Sequence, residues 1–481
     1  MIERIPGRVI AAASALAIAF AGWFAYSRPG YFTNQTYLAG VFFLEILVAA
    51  VFLYRRFFFP LTLVCFLFAG LNVDVGSGWT IARWMFLATG AAVGVAAVLK
   101  EQFHLFNRFH VYAAFAAMAA LVSAAVSPFP KIALAKALSF FLLLVYAGSG
   151  VRLAVIGHEE RFFNGLLTGC EVFVAALLAL HLIGIEAMGN PNSLGAVMGV
   201  AVCPILLWGT LLACKKVERQ RRLAACAVCF YLLFVSRSRA GLAAGVFSFV
   251  LLTMGLRRYK VLLAGVAAIF VVGASLAIVD PGLFFSKATN FANDVVYKGG
   301  DPQQGILLSR QTPWKVSIET ISGHLWFGTG FGTTDTGKDA SAHFNGVTST
   351  TDVSTEHGSS YLAIASWVGV VGVIPFLFVL IALLVKAGRT LIWMFRTRNP
   401  LQPGIPLAIV VFAGLLHATF EDWLFAPGYY LCVYFWSMAF ILADVAPSRS
   451  MSLVWRDTTD WSLAQTAPVN SLLVTSKANT P

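Results

Sequence analysis

The sequence predicts an all-helical, polytopic membrane protein with about twelve to fourteen spans and one large extracytoplasmic loop. Three observations predict it. Hydrophobic residues make up 59% of the chain and charged residues only 12%, where a soluble domain carries about 25% charge. Apolar runs of membrane length, roughly 20 residues each, recur along the chain. One long polar segment, from about 280 to 357, interrupts them.

Taken in order, candidate spans lie near 9–27, 37–54, 57–71, 80–99, 109–126, 132–151 and 162–183. They continue near 193–213, 223–236, 240–256, 261–280, 358–385, 404–425 and 428–446. The spans at 57–71 and 223–236 are short enough to be broken or re-entrant helices, hence the range in the count. No convincing small-x-small cleavage site follows the apolar run after Arg4 and Arg8, so the first run is expected to stay as a helix. With the N-terminus in the cytoplasm, basic residues gather on that side. They include Arg55 and Arg56, the Lys215–Arg222 cluster, Arg257, Arg258, Lys260, Lys386 and Arg389. The predicted organisation is therefore membrane helices over 1–280, an extracytoplasmic loop over 281–357 and membrane helices over 358–446. A polar, disordered cytoplasmic tail over 447–481 completes it. The net charge of +12 follows from this bias together with anionic lipid headgroups. It calls for no nucleic-acid partner.

Most polar residues within or beside the spans have a structural and a functional reading. Glu45 lies inside the second span, where a carboxylate is costly; it is either functional or paired to a neighbouring helix. Lys131 and Lys136 flank a turn, S-P-F-P-K, and could meet phosphate or simply water. The seven cysteines all fall in or at the ends of apolar runs. Cys226 and Cys229 form a C-x-x-C with no second ligand pair, so they read as small buried hydrophobes.

A few residues on the extracytoplasmic side are harder to explain as anchors. Asn190-Pro-Asn192-Ser193 reads as a turn followed by a helix cap, and a helix N-terminus can receive an anion. In S-R-S-R-A-G, Ser236–Gly241, Arg237 and Arg239 stand between two apolar helices on the side the positive-inside rule disfavours. Guanidinium forks stay charged and bind phosphate bidentately, so a lipid-linked diphosphate would suit both; snorkelling to lipid phosphates is the plainer alternative. Arg310 opens a helix-like run in the loop. G-T-G-F-G at Gly328–Gly332 would let a ligand approach the backbone. His357, after Glu356, could accept a proton from an attacking hydroxyl near neutral pH, or be structural. His417 and Glu421 are spaced to share a helix face. Glu421 and Asp422 lie at the level of His357, where they could orient it or bind sugar hydroxyls.

Over residues 185–430 the chain resembles the O-antigen ligase and O-antigen polymerase superfamily of bacterial membrane glycosyltransferases. The resemblance is carried by N-P-N-S-L-G, by S-R-S-R-A-G, and by an arginine, a tryptophan and glycines over Arg310–Gly332. It is completed by H-G-S-S-Y-L-A from His357 with G-V-V-G at Gly369–Gly372. The family pattern has Asn after the histidine, where Gly358 stands here. The resemblance implies a GT-C-like fold in the bacterial inner membrane, without cofactor. It implies inverting transfer of a glycan from undecaprenyl diphosphate to an acceptor hydroxyl at the periplasmic face. The acceptor would be lipid A core for a ligase, in lipopolysaccharide synthesis, or another lipid-linked glycan for a polymerase. Arg239 and Arg310 match the arginines expected to hold the diphosphate and His357 the catalytic histidine; Arg237 is an additional arginine. The chain contains no D-x-D, so guanidiniums would take the place of a metal. A transporter of lipid-linked sugars fits less well, because the charged residues gather at one face and no repeat is visible.

Overall fold

The computed structural model describes residues 58–71, 78–100, 107–155, 158–188, 190–213, 215–279, 308–334 and 356–447, with a few isolated positions. The expected spans at 9–27 and 37–54, Glu45 and the tail lie outside the described residues. The described regular structure is entirely helical.

The helices follow the apolar runs. They are α1 (Phe58–Gly70), α2 (Gly78–Lys100), α3 (Arg108–Ala125), α4 (Pro130–Gly148), α5 (Gly150–Val155) and α6 (Glu159–Leu182). Next come α7 (Pro191–Ala196) and α8 (Cys203–Leu212), joined by a π-helical turn over Val197–Val202. The rest are α9 (Lys216–Val235), α10 (Arg239–Gly255), α11 (Tyr259–Val279), α12 (Leu308–Gly323), α13 (Ser360–Thr397), α14 (Gly404–Ala418) and α15 (Tyr430–Val445). Six described segments are long and apolar enough to cross a membrane, and further apolar helices such as α10, α14 and α15 are shorter.

Side-chain exposure separates central from peripheral helices. Nearly every residue of α14 and α15 is buried, so both are apolar all round and sit in the middle of the bundle. On α3, Val111, Phe115, Met118 and Val122 form an exposed apolar stripe at helical spacing, and α13 presents Ile374, Phe378 and Ile381. Such continuous apolar stripes suit acyl chains rather than water. Small residues bring other helices into backbone contact: a Cβ on Gly241 would lie 2.5 Å from the Gly195 carbonyl carbon, and one on Gly199 would lie 2.3 Å from the Gly241 oxygen. This is the close packing that glycine permits between membrane helices.

Part of the charge inside the bundle is paired. Arg152 binds Asp444 through two hydrogen bonds of 2.6 and 3.0 Å. Glu171 meets Arg221 at 3.0 Å and Arg222 at 3.8 Å. The described cysteines are buried and free.

Two elements depart from the expected spans. Helix α13 runs to Thr397 rather than 385, and it breaks at Gly369, whose φ of 64° and ψ of −177° lie outside the helical region. The segment expected at 404–425 leaves the helix after Ala418, so Glu421 does not share a helix face with His417. The Glu421 carbonyl is used instead to accept the Ser360 N–H at 3.0 Å and the Ser360 hydroxyl at 2.6 Å. That contact draws the chain out of the helix toward the first turn of α13.

Candidate functional site

The site forms where the first turns of α12 and α13 meet the segment after α14. Arg310, in the first turn of α12, is 6% exposed. One terminal nitrogen, Nη1, donates to Glu356 Oε1 at 2.7 Å, and Nη2 donates to Glu421 Oε1. A buried guanidinium needs such partners, because an uncompensated buried charge is strongly unfavourable.

The turn before α13 is moulded onto α12. Gly358 has a φ of +64°, and a Cβ there would lie 3.2 Å from Pro313 Cβ and 3.4 Å from Arg310 Cδ. Its carbonyl accepts the Trp314 indole N–H at 3.1 Å. Glycine and asparagine are the residues that tolerate this left-handed backbone most readily.

His357 is 1% exposed, and both ring nitrogens are engaged. Trp367 Nε1 lies 3.1 Å from Nε2 and Ser317 Oγ 2.9 Å from Nδ1. Indole can only donate, so Nε2 accepts and the neutral ring carries its proton on Nδ1, which donates to Ser317. The Ser317 hydroxyl in turn donates to the Pro313 carbonyl at 2.8 Å. Burial pulls the His357 pKa down from its ordinary value, partly offset by the charge of Asp422. Asp422 Oδ2 accepts the His357 backbone N–H at 3.0 Å. The ring therefore ties α12 to α13, and its Nε2 lone pair is directed at Trp367 rather than at an open space.

The S-R-S-R turn separates its two arginines. Ser238 caps α10 by accepting the Gly241 N–H at 3.2 Å, while Arg237 takes a left-handed φ of 49° and is exposed. Arg239, partly buried at the start of α10, lies within electrostatic reach of Arg310 and Glu421. Asn190 caps α7 by accepting the Asn192 N–H at 2.8 Å. Asn192 is half-buried on that turn, and among the described contacts no hydrogen bond joins its side chain to an arginine. The hydroxyls of Tyr429 and Tyr430, 3.1 Å apart, lie near the neighbouring Ser193, and Tyr429 is within electrostatic reach of Glu421. This connects the N-P-N-S turn to the arginine site indirectly.

The glycine-rich segment has a packing role that differs from the expected ligand cradle. Gly328, Gly330 and Gly332 all have positive φ. Thr329 and Gly330 donate backbone N–H groups to Ser366 and Trp367 at 2.9 and 3.0 Å, and Val370 donates to Leu325 at 2.8 Å. A Cβ on Gly328 would lie 2.3 Å from the Trp367 carbonyl carbon, and one on Gly369 would lie 2.4 Å from that of Trp326. The glycines thus let the segment fill the break in α13. Phe331, 0% exposed, sits between Phe140 and Trp367, whereas Trp326 and Phe327 are exposed. Lys136 is occupied with the Gly332 carbonyl at 2.6 Å.

Sequence reasoning missed Ser317, Trp367 and Tyr429. Ser317 had a signal: it lies seven residues after Arg310, on the same helical face. Trp367 had none, because its contact with His357 depends on how the first turns of α13 sit. Among the described residues no group of three His, Cys, Asp or Glu side chains comes together as a metal-binding cluster.

Residues 224–377 match the family model described as O-antigen ligase. The match takes in Arg237, Arg239, Arg310, Glu356, His357 and Trp367. No curated protein matches the chain.

Proposed function

We propose, for a membrane chain whose residues 224–377 belong to the O-antigen ligase superfamily, that the arginine site grips the diphosphate of an undecaprenyl-linked glycan. The superfamily's activity is glycan transfer of the ligase or polymerase kind. The observation that carries the finer reading is a buried Arg310 held by two carboxylates, with Arg239 in electrostatic reach. Fixed cations aimed where negative charge develops are the largest usual term in catalysis.

In the proposed reaction the bond between the anomeric carbon and the diphosphate oxygen breaks. Its electron pair goes to the diphosphate, whose growing charge Arg310 and Arg239 stabilise. The acceptor oxygen bonds to the opposite face of that carbon, which inverts it. Arg237, exposed on the neighbouring turn, would guide the anionic headgroup in, and Asn192 lies on the adjoining cap. The proton of the acceptor hydroxyl goes to Asp422. Asp422 is partly exposed at the rim and, among the described ion pairs, is the carboxylate of the three that has none with Arg310. His357 is then a positioning residue, holding Ser317 and hence the helix that carries Arg310. The site faces the periplasm from the bacterial inner membrane, with both termini cytoplasmic and lipids around the bundle.

The acceptor favoured is lipid A core, as in a ligase; a polymerase would run the same chemistry on a lipid-linked repeat. Deleting the gene and resolving surface lipopolysaccharide by electrophoresis tests this. Loss of all glycan-capped lipopolysaccharide supports a ligase, and a cap of one repeat supports a polymerase. An unchanged profile would refute both.

A further inference from the structure

We infer that the two carboxylates on Arg310 have different tasks: Glu421 is a fixed partner, and Glu356 is a displaceable stand-in for the anionic ligand. This rests on the reading of Arg310 as the residue that receives a diphosphate.

Their surroundings differ. The Glu421 side chain is 18% exposed, and its carbonyl is pinned by two hydrogen bonds from Ser360. The backbone from which the Glu421 carboxylate reaches Arg310 is thus fixed, and little solvent is open to that side chain. The Glu356 side chain is 63% exposed. Its bond to Arg310 Nη1 is the one side-chain hydrogen bond described for it. An ion pair with a partner that exposed is weak, whereas a diphosphate brings more charge and several oxygens to the same guanidinium fork.

The charge balance gives the arrangement its purpose. Arg310 pairs with both Glu356 and Glu421, and Arg239 lies within electrostatic reach of Glu421, so the guanidinium charge is fully compensated when no ligand is bound. Arg310 is too buried to stand without a counter-ion, yet two fixed carboxylates would cancel the charge a diphosphate needs. One fixed and one releasable carboxylate meet both demands. When Glu356 swings into solvent, Nη1 is exposed and the cluster loses one negative charge. Glu356 therefore competes with the ligand and returns when it leaves.

Inorganic pyrophosphate binding to the full chain in lipid nanodiscs, measured by calorimetry, tests this. Glu356→Gln should bind about two- to fivefold tighter than wild type, the range expected on removing a weak competing pair. The gain should shrink as salt is raised. Glu356→Ala should behave alike, which separates loss of charge from any effect of the amide. Equal or weaker binding by both variants would overturn the inference. Arg310→Ala in the same assay separates the two levels. If it binds like wild type, or wild type does not bind, the diphosphate reading fails and the inference with it. If only Arg310→Ala loses binding while both Glu356 variants match wild type, the inference alone fails.

Discussion

At the scale of single residues, hydrogen-bond chemistry decides more than residue type. A histidine beside a glutamate invites the role of base. Here the indole of Trp367 fixes the tautomer of His357, and Ser317 takes the remaining proton. A pH dependence follows. Burial lowers the folded pKa of His357 below the unfolded value of about 6.5, so in that window the unfolded chain binds more protons. The stabilisation is thus present above pH 6.5 and is lost as pH falls through the folded value, where Nε2 can no longer accept from Trp367. The thermal midpoint of the purified protein should fall more between pH 7 and pH 5 for wild type than for His357→Gln. Equal falls would remove the histidine from the account of acid sensitivity. Ser317→Ala leaves the buried Nδ1–H only the longer contact to Ser366 Oγ at 3.4 Å, a cost of up to about 1–3 kcal/mol. It should slow turnover with little change in donor KM, because it disturbs the positioning of Arg310 rather than supplying a ligand contact.

At the scale of elements, the break in α13 at Gly369 organises the site. It admits the 324–334 segment and sets Trp367 against His357. Alanine at Gly369 would face both a positive-φ, extended-ψ backbone that is essentially restricted to glycine, at about 1–3 kcal/mol, and a clash with the Trp326 carbonyl. Gly369→Ala should lower both thermal stability and activity, whereas Gly388→Ala, with open space around it, should leave stability within about 0.5 kcal/mol. Wild-type stability in Gly369→Ala would show that the break is not required. The helices themselves were legible from apolar runs, because bilayer thickness sets a length that composition reveals. The ends were less so. Glu421 looked helical by spacing, and only its carbonyl's contact with Ser360 shows why the chain turns away. The glycines of G-T-G-F-G were visible, but their partner was not, since backbone-to-backbone packing leaves no mark on side-chain chemistry.

At the scale of the whole molecule, central helices α14 and α15 form an apolar column, and the polar chemistry gathers at one end of it. Arg237 and Arg239 were legible because cations at that boundary lack an ordinary reason to be there, and Arg310 was joined to Arg239 only by the family resemblance. Their carboxylate partners Glu356 and Glu421 were picked out without the pairing, which needs helices far apart in sequence to converge. The most direct test of the central claim is transfer of glycan from a polyprenyl diphosphate donor by the purified protein, comparing wild type with Arg310→Ala. The account predicts a fall of about a hundredfold or more with correct membrane insertion and unchanged helical content. Wild-type rates from a folded Arg310→Ala protein would contradict it.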